Sequence, residues 1–407
     1  MATDNIICAL DIGTTKIVAT VAEMDDEGGI YVIGHGLSKA EGLRRGIVVD
    51  MDKTVKSIRR TIDDAQMVSG TEIDRVTVGI AGEHVRSINS HGVVAVNRTD
   101  NEITASDVKR AVEAARTVAI PVDREIIHVI PQTFSVDDQS GIKDPVGMSG
   151  TRLEVEAHIV TASITSARNI YRALERCNLT VDHMVLEQLA SSRVIVSENE
   201  MENGVVIVDI GGDITNLAVF YDGAIRHTAV VPLGARNVTN DIAIGLRTSV
   251  EQAEDLKLTH GAALSSLVDP EELVAVRQMT TGDEKEISRN VLASIIEPRM
   301  EEILSLVARE VKKIQLGELL TSGMIVTGGG ALLPGVTQLA EQMFNMPVQS
   351  PVLRGVDHIP DELNDARYST VLGLLTYGFA NEPTSISKST KVKGLFKRLE
   401  NWISKQL

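Results

Sequence analysis

Two stretches in different halves of the chain place an acid and a glycine between apolar runs in the same order. The first is Ile6-Ile7-Cys8-Ala9-Leu10-Asp11-Ile12-Gly13-Thr14-Thr15-Lys16; the second is Val205-Val206-Ile207-Val208-Asp209-Ile210-Gly211-Gly212-Asp213-Ile214-Thr215. An Asp-x-Gly turn suits phosphate chemistry, because glycine lets the backbone approach an anion and the N–H groups of the turn converge on it. Thr14, Thr15 and Thr215 add hydroxyl donors and Lys16 adds positive charge. Asp11 and Asp209 would not touch phosphate, but they suit the water shell of a bound Mg²⁺. Either turn alone is equally an ordinary glycine hairpin. Two near-copies point to a ligand held from both sides.

A third segment, Gly328-Gly329-Gly330, follows the apolar run Met324-Ile325-Val326-Thr327 and permits close contact with a flat ring or a ribose. A simple helix-entry loop is the plainer alternative. Glu254 and Lys257 stand three apart in a helical stretch from Ser249 to Thr259, spaced to contact ribose and adenine or to form an exposed ion pair. Other phosphate and metal signatures are missing. The sequence holds no GxxxxGK[ST] loop, no GxGxxG fingerprint and no HExxH pair.

The elements that must position these groups repeat as the motifs do. Each motif reads as strand, turn and strand, so two homologous α/β domains are expected to face each other. We assign residues 1–82 and 161–200 to the first and 201–236 and 318–380 to the second. An α+β insert over 83–160 carries a helix from Ala105 to Val118, capped by Thr104 with Asp107 in its first turn. The run Ile126 to Ile130 reads as a strand, and Gly141 to Gly150 as a loop. A second insert, 237–317, reads as mostly helical with one long pattern from Ser288 to Ile314. Residues 381–393 are polar and read as a linker before 394–407.

Composition narrows the function classes. A chain of 407 residues, 43% hydrophobic and 24% charged, suits a globular protein of two to four folding units. A net charge of −16 and few aromatic residues argue against nucleic acid as a partner. Cys8 and Cys177 are expected to be packing residues. No signal sequence or spanning segment is legible, so a cytoplasmic protein with peripheral membrane contact is expected. That contact falls to 394–407, where Leu395, Phe396, Leu399, Trp402 and Ile403 recur at helical spacing. Lys397, Arg398 and Lys405 lie off the stripe. The plainer alternative is a terminal helix docked on the body, but the basic charge, the polar linker and an acidic body favour an anionic lipid surface.

The paired phosphate turns with Thr327-Gly328-Gly329-Gly330 resemble the actin, sugar-kinase and heat-shock-chaperone superfamily. Within it, His128-Val129-Ile130-Pro131-Gln132 and the segment Gly141 to Gly150 are similar to the small extra domain of the FtsA family. Glu187 to Ser192 resembles that family's first connecting helix, Ala253 to Lys257 its adenosine-side helix, and Val371 to Gly378 its closing helix. The resemblance implies an actin-like two-domain ATPase fold with subdomains 1A, 1C, 2A and 2B and a terminal amphipathic helix. It implies ATP and Mg²⁺ between the large domains, self-assembly into filaments, and a place at the division septum on the cytoplasmic face of the inner membrane. It implies as partners the FtsZ C-terminal tail and other divisome proteins. In Ile296-Glu297-Pro298-Arg299, Arg299 becomes the expected tail contact, against the alternative that it only solvates a helix.

Two positions depart from the superfamily pattern. Asp213 stands where a third glycine is common, and its charge is expected to repel a γ-phosphate unless a metal intervenes. Asn216 stands where an acid is frequent, and Glu187 is left as the residue to orient a water. ATP binding with slow or absent hydrolysis is therefore expected. The competing readings are a pilus-assembly type of actin-like scaffold, a small-molecule kinase and a chaperone ATPase. The kinase would need a substrate base that the sequence does not offer, and the chaperone a further substrate domain.

Overall fold

The computed structural model describes residues 5–97, 100–279 and 283–381. The linker beyond Asn381 and the amphipathic segment, with Leu395, Phe396, Lys397, Arg398, Leu399, Trp402 and Ile403, lie outside the described residues. Strand β1 (Ile6–Ile12) turns into β2 (Lys16–Met24), which is followed by β3 (Ile30–Lys39). A small ribbon, β4 (Leu43–Arg44) with β5 (Ile47–Val48), leads to α1 (Met51–Ser69) and β6 (Arg75–Ile80). The insert supplies β7 (Arg86–Ala95), α2 (Ala105–Arg116), β8 (Arg124–Val136), β9 (Gln139–Ile142) and β10 (Arg152–Ser163). The chain returns through α3 (Ile164–Glu175), β11 (Thr180–Leu186), α4 (Glu187–Ile195) and α5 (Glu198–Asn203).

The second body repeats the plan with β12 (Val205–Ile210), β13 (Thr215–Tyr221) and β14 (Ala224–Val231). Its insert holds α6 (Ala235–Leu246), α7 (Val250–His260), β15 (Leu273–Arg277), β16 (Glu284–Ser288) and α8 (Arg289–Lys313). It closes with β17 (Met324–Thr327), α9 (Val336–Phe344), β18 (Val348–Gln349) and α10 (Ser369–Asn381). The two five-stranded sheets run β11-β6-β1-β2-β3 and β18-β17-β12-β13-β14, the same order strand for strand. In each, the hairpin is antiparallel and its first strand also pairs in parallel with a later one, β1 with β6 and β12 with β17. Central strands covered on both faces need unbroken apolar runs, which is why Val205 to Val208 are all fully buried.

Three cores result. One fills the first body around Leu10, Val78 and Leu186, one the second around Val208, Val326 and Ile303, and a small one the insert around Phe134, Val155 and Ala111. Strand β10 links two of them, with Leu153 and Val155 in the insert core and Val160 and Ala162 in the first body. The insert also leans on β14 of the second body. Ser87 Oγ donates to the Thr228 carbonyl at 3.0 Å, and buried His158 joins Asn89 at 2.8 Å to Thr228 Oγ1 at 3.0 Å.

Three expectations change. Helix α2 stops at Arg116, short of Val118. The second insert is not only helical, because β15 and β16 form an antiparallel hairpin. Its signal was the alternation from Leu273 to Arg277, whose Val274 and Val276 are the buried positions. The last element of 318–380, α10, belongs to the first body's core and not to the second's. Val371, Leu372, Leu374 and Leu375 pack there, and Gly373 crosses α4 so closely that a Cβ would lie 2.0 Å from the Ala190 carbonyl oxygen. A helix apolar on all sides is legible as buried, but its hydropathy does not say against which sheet. Among the described residues no helix is long and apolar enough to cross a membrane.

Candidate functional site

The two Asp-x-Gly turns are built on one register. Asp11 pairs with Val18 and Ile12 with Ile17, as Asp209 pairs with Asn216 and Ile210 with Thr215. A Cβ on Gly13 would meet the Lys16 carbonyl oxygen at 2.8 Å, and one on Gly211 the Ile214 oxygen at 2.9 Å, so both turns are closed equally tightly. The turns touch at Gly212, where a Cβ would lie 2.3 Å from Thr15 Cγ2 and 3.1 Å from Thr14 Oγ1. Helix α6 starts against the second turn: Ala235 N–H donates to the Gly211 carbonyl at 2.9 Å and Arg236 N–H to that of Gly212 at 2.8 Å. In trans peptide planes this points the N–H groups of Gly212 and Asp213 away from α6.

Behind the turns stand three carboxylates. Asp11 is buried, and Asp209 and Glu187 are partly so. Lost hydration, then the charge of Asp11, pushes the Asp209 pKa up to about 6, against the pull of Lys16. Lost hydration also raises Asp11, with Lys16 opposing. Glu187 is raised well above the usual range by lost hydration and by the charges of Asp11 and Asp209, and it accepts from Asn216 Nδ2 at 3.2 Å. Each of the three is costly to ionise in the company of the others, and a cation held nearby would lower that cost. No three acidic, histidine or cysteine side chains among the described residues converge as direct metal ligands. The donor set therefore fits an ion held through its waters, which is the usual habit of Mg²⁺.

Gly328 brings the third segment to the same place. Its φ of +86° and ψ of 174° suit glycine alone, and a Cβ would lie 2.1 Å from Asp209 Oδ1. Gly330 packs on Ile210, while Gly329 has only Arg367 Cγ nearby, at 3.8 Å. Glu254 and Lys257 form an ion pair that is exposed only at the Glu254 end. Lys257 is buried, its Nζ donating to Glu254 Oε2 at 2.7 Å and Thr239 Oγ1 at 2.9 Å, which ties α7 to α6.

Other placements differ from the sequence expectations. Thr215 is buried and its hydroxyl donates to the Leu233 carbonyl at 2.9 Å, so it braces the turn and is not free to donate to a phosphate. Lys16 reaches the Arg367 carbonyl at 2.6 Å and lies 4.0 Å over the Tyr368 ring. Lost hydration draws its pKa down to about 8, with Asp11 opposing. Asp213 is not an uncompensated charge, because Arg45 N–H donates to it at 3.1 Å and the Arg236 guanidinium lies at 3.0 Å. Sequence reasoning missed both arginines, since neither stands in a motif. On the second insert, Arg299 of α8 grips Asp241 of α6 in a fork, Nε to Oδ2 at 2.5 Å and Nη2 to Oδ1 at 3.1 Å. It also contacts Glu302.

The carboxylates make stability depend on pH. Asp209 has a folded pKa of about 6, above its unfolded value, so its contribution is complete below roughly pH 4. It is lost as pH rises through about 6. Relative to Asp209→Asn, the Mg²⁺-free protein should lose stability on the order of 2 kcal/mol across that window. Calorimetric melts of the two proteins checked at several pH values would test this, and parallel curves would refute it. Added Mg²⁺ should restore stability above pH 7 and not at pH 5.

Comparison with known proteins agrees with this architecture. Residues 82–161 match the model of the SHS2 domain inserted in FTSA, and residues 206–373 that of the cell division protein FtsA. The cell division protein FtsA of Pseudomonas aeruginosa is 41% identical over 406 residues, covering 98% of this chain and 97% of the relative. Among solved structures, the PilM-PilN type IV pilus biogenesis complex superposes with a TM-score of 0.66 at 16% identity, over 92% of this chain and 98% of that one. MreB5 of Spiroplasma citri bound to ADP gives 0.57 at 13% identity, over 92% and 96%. These neighbours show the actin-like fold. The near full-length identity, together with the inserted domain in its expected place, shows that the chain belongs to the FtsA family of cell-division proteins.

Proposed function

We propose that this protein binds Mg·ATP between its two large bodies, assembles with copies of itself, and anchors FtsZ polymers to an anionic membrane surface. One observation carries the nucleotide reading: duplicated phosphate turns meet at one point, with Asp11, Asp209 and Glu187 behind them. The ADP bound to MreB5, a neighbour in fold, supports it. In this reading the turns around Gly13, Thr14, Gly211 and Gly212 hold phosphates, and Asp11 and Asp209 hold the waters of Mg²⁺. Gly328 to Gly330, with α7 behind Glu254 and Lys257, border the ribose and base. The bound nucleotide supplies charge and contacts that both bodies share.

Glu187 is the side chain placed to orient a water. Its pKa is raised by lost hydration and by the charges of Asp11 and Asp209, while Asn216, a neutral amide where an acid is frequent, offers no second base beside it. Slow turnover follows, with nucleotide acting as a ligand that selects the assembling shape. Membrane contact rests on segment 394–407, and assembly on the family and fold.

The FtsZ contact is assigned to the second insert, around Arg299. Its fork with Asp241 is partly exposed, and a guanidinium can exchange one carboxylate for another. Fluorescence anisotropy with a labelled FtsZ C-terminal peptide would test this. Saturable binding is expected, weakened at least about tenfold by Arg299→Glu, the equivalent of roughly 1.4 kcal/mol. Absence of binding by the folded intact protein would remove the adaptor role and leave a scaffold with another partner.

A further inference from the structure

Asp213 is the charged member of the second phosphate turn, and it is 7% exposed. Its two oxygens are taken by different parts of the molecule. Oδ2 accepts from Arg45 N–H at 3.1 Å, on the β4–β5 ribbon of the first body. Oδ1 lies 3.0 Å from Nη1 of Arg236, at the start of α6 in the second body. The other end of the same guanidinium, Nη2, donates to the Thr14 carbonyl in the first phosphate turn at 3.0 Å. One carboxylate thus bonds both bodies, and one guanidinium bonds both turns.

Neither partner is there by side-chain chance. Arg45 adopts φ +50° between Gly42 and Gly46, and a Cβ on Gly46 would lie 2.3 Å from the Ala81 carbonyl oxygen, so the ribbon is pressed onto the first body and presents its N–H. Arg236 is anchored by its own backbone N–H on the Gly212 carbonyl. The contacts they make lie beside the meeting of Gly212 with Thr14 and Thr15.

We propose that Asp213 and Arg236 form an internal clasp that takes the place of a nucleotide's terminal phosphate in drawing the two turns together. The proposal rests on the reading of the cleft as a Mg·nucleotide site. An anion that joins donors of the two bodies is what a third phosphate would supply, and this chain supplies it from its own side chain, through Arg45 of the ribbon and Arg236 of α6. A third phosphate reaching the turns meets a carboxylate already holding the donors. The clasp therefore sets specificity: diphosphate and triphosphate bind alike, because closure does not wait for the third phosphate.

The test uses the full chain with Mg²⁺, fluorescent ADP and a fluorescent non-hydrolysable ATP analogue. The unaltered protein should bind the two with similar affinity. Asp213→Gly should shift the ratio about tenfold or more toward the triphosphate, the scale of one charge-assisted hydrogen bond. Arg236→Gln leaves the carboxylate without its cation and should weaken the triphosphate more than the diphosphate. Without any nucleotide, the thermal midpoint should fall with added salt in the unaltered protein and less so in Asp213→Asn, a variant of unchanged shape. If Asp213→Gly and Asp213→Asn bind both nucleotides with the unaltered ratio, the clasp is wrong and the nucleotide reading stands. If the folded unaltered protein binds neither nucleotide, both readings fall together.

Discussion

Alanine at Gly328 is expected to lower the thermal midpoint by several degrees and to cut nucleotide affinity at least tenfold, while alanine at the next residue leaves the ligand-free fold unharmed. The contrast comes from geometry within one triplet. Gly328 has φ +86° and ψ 174°, a region costing a side-chain-bearing residue about 1–3 kcal/mol. Its new methyl would also sit 2.1 Å from Asp209 Oδ1 and 2.7 Å from the Ile210 carbonyl oxygen. The Ile210 oxygen is backbone of the second phosphate turn and cannot yield, and Asp209 Oδ1 ends a short side chain confined beside Asp11 and Glu187. Relief requires Asp209 to move, and Asp209 is the residue assigned to the waters of Mg²⁺. Gly329 lacks a positive φ, and a Cβ there meets only Arg367 Cγ at 3.8 Å. Thermal melts of the ligand-free variants, followed by titration with a fluorescent nucleotide, separate the two effects. Equal melting of Gly328→Ala and the unaltered protein would contradict the argument.

Removal of residues 394–407 should abolish binding to anionic vesicles while leaving the described body folded. Half-burial of Leu395, Phe396, Leu399, Trp402 and Ile403 is worth on the order of 4–7 kcal/mol from apolar area. Basic residues near an anionic surface add about 1 kcal/mol each. Part of this is offset by ordering a helix that is marginal in water. On this proposal a single segment would be a weak, reversible foot, and many feet on one filament would bind tightly through avidity. Trp402→Glu should reproduce most of the loss with a single residue. Vesicle co-sedimentation of the full chain, the truncated chain and the point variant would decide the matter. Retained binding by the truncated chain would move the membrane contact to the body.

The two bodies, their shared Asp-x-Gly turns, the inserted domain and the family were legible in the residues themselves. Apolar runs broken by a glycine turn state a buried hairpin wherever they occur, and repetition states duplication. Such signals are local, set by strand and helix period and by the few residues that tolerate a tight turn. The same holds for Asp107 at the head of α2, where a residue three positions away completes the cap.

Partners of single side chains were settled only by the tertiary structure. Asp213 looked like an uncompensated charge because the N–H that meets it belongs to Arg45, 168 positions earlier, and its cation lies in a helix that no motif marks. Thr215 looked like a free donor until the return of the chain after β14 placed the Leu233 carbonyl beside it. Helix α10 announced its burial but not its sheet. In each case the physical reason is the same. Local periodicity decides which face of an element turns inward, whereas the identity of the group waiting there depends on how distant strands are ordered, and that order exists only once the sheets have formed.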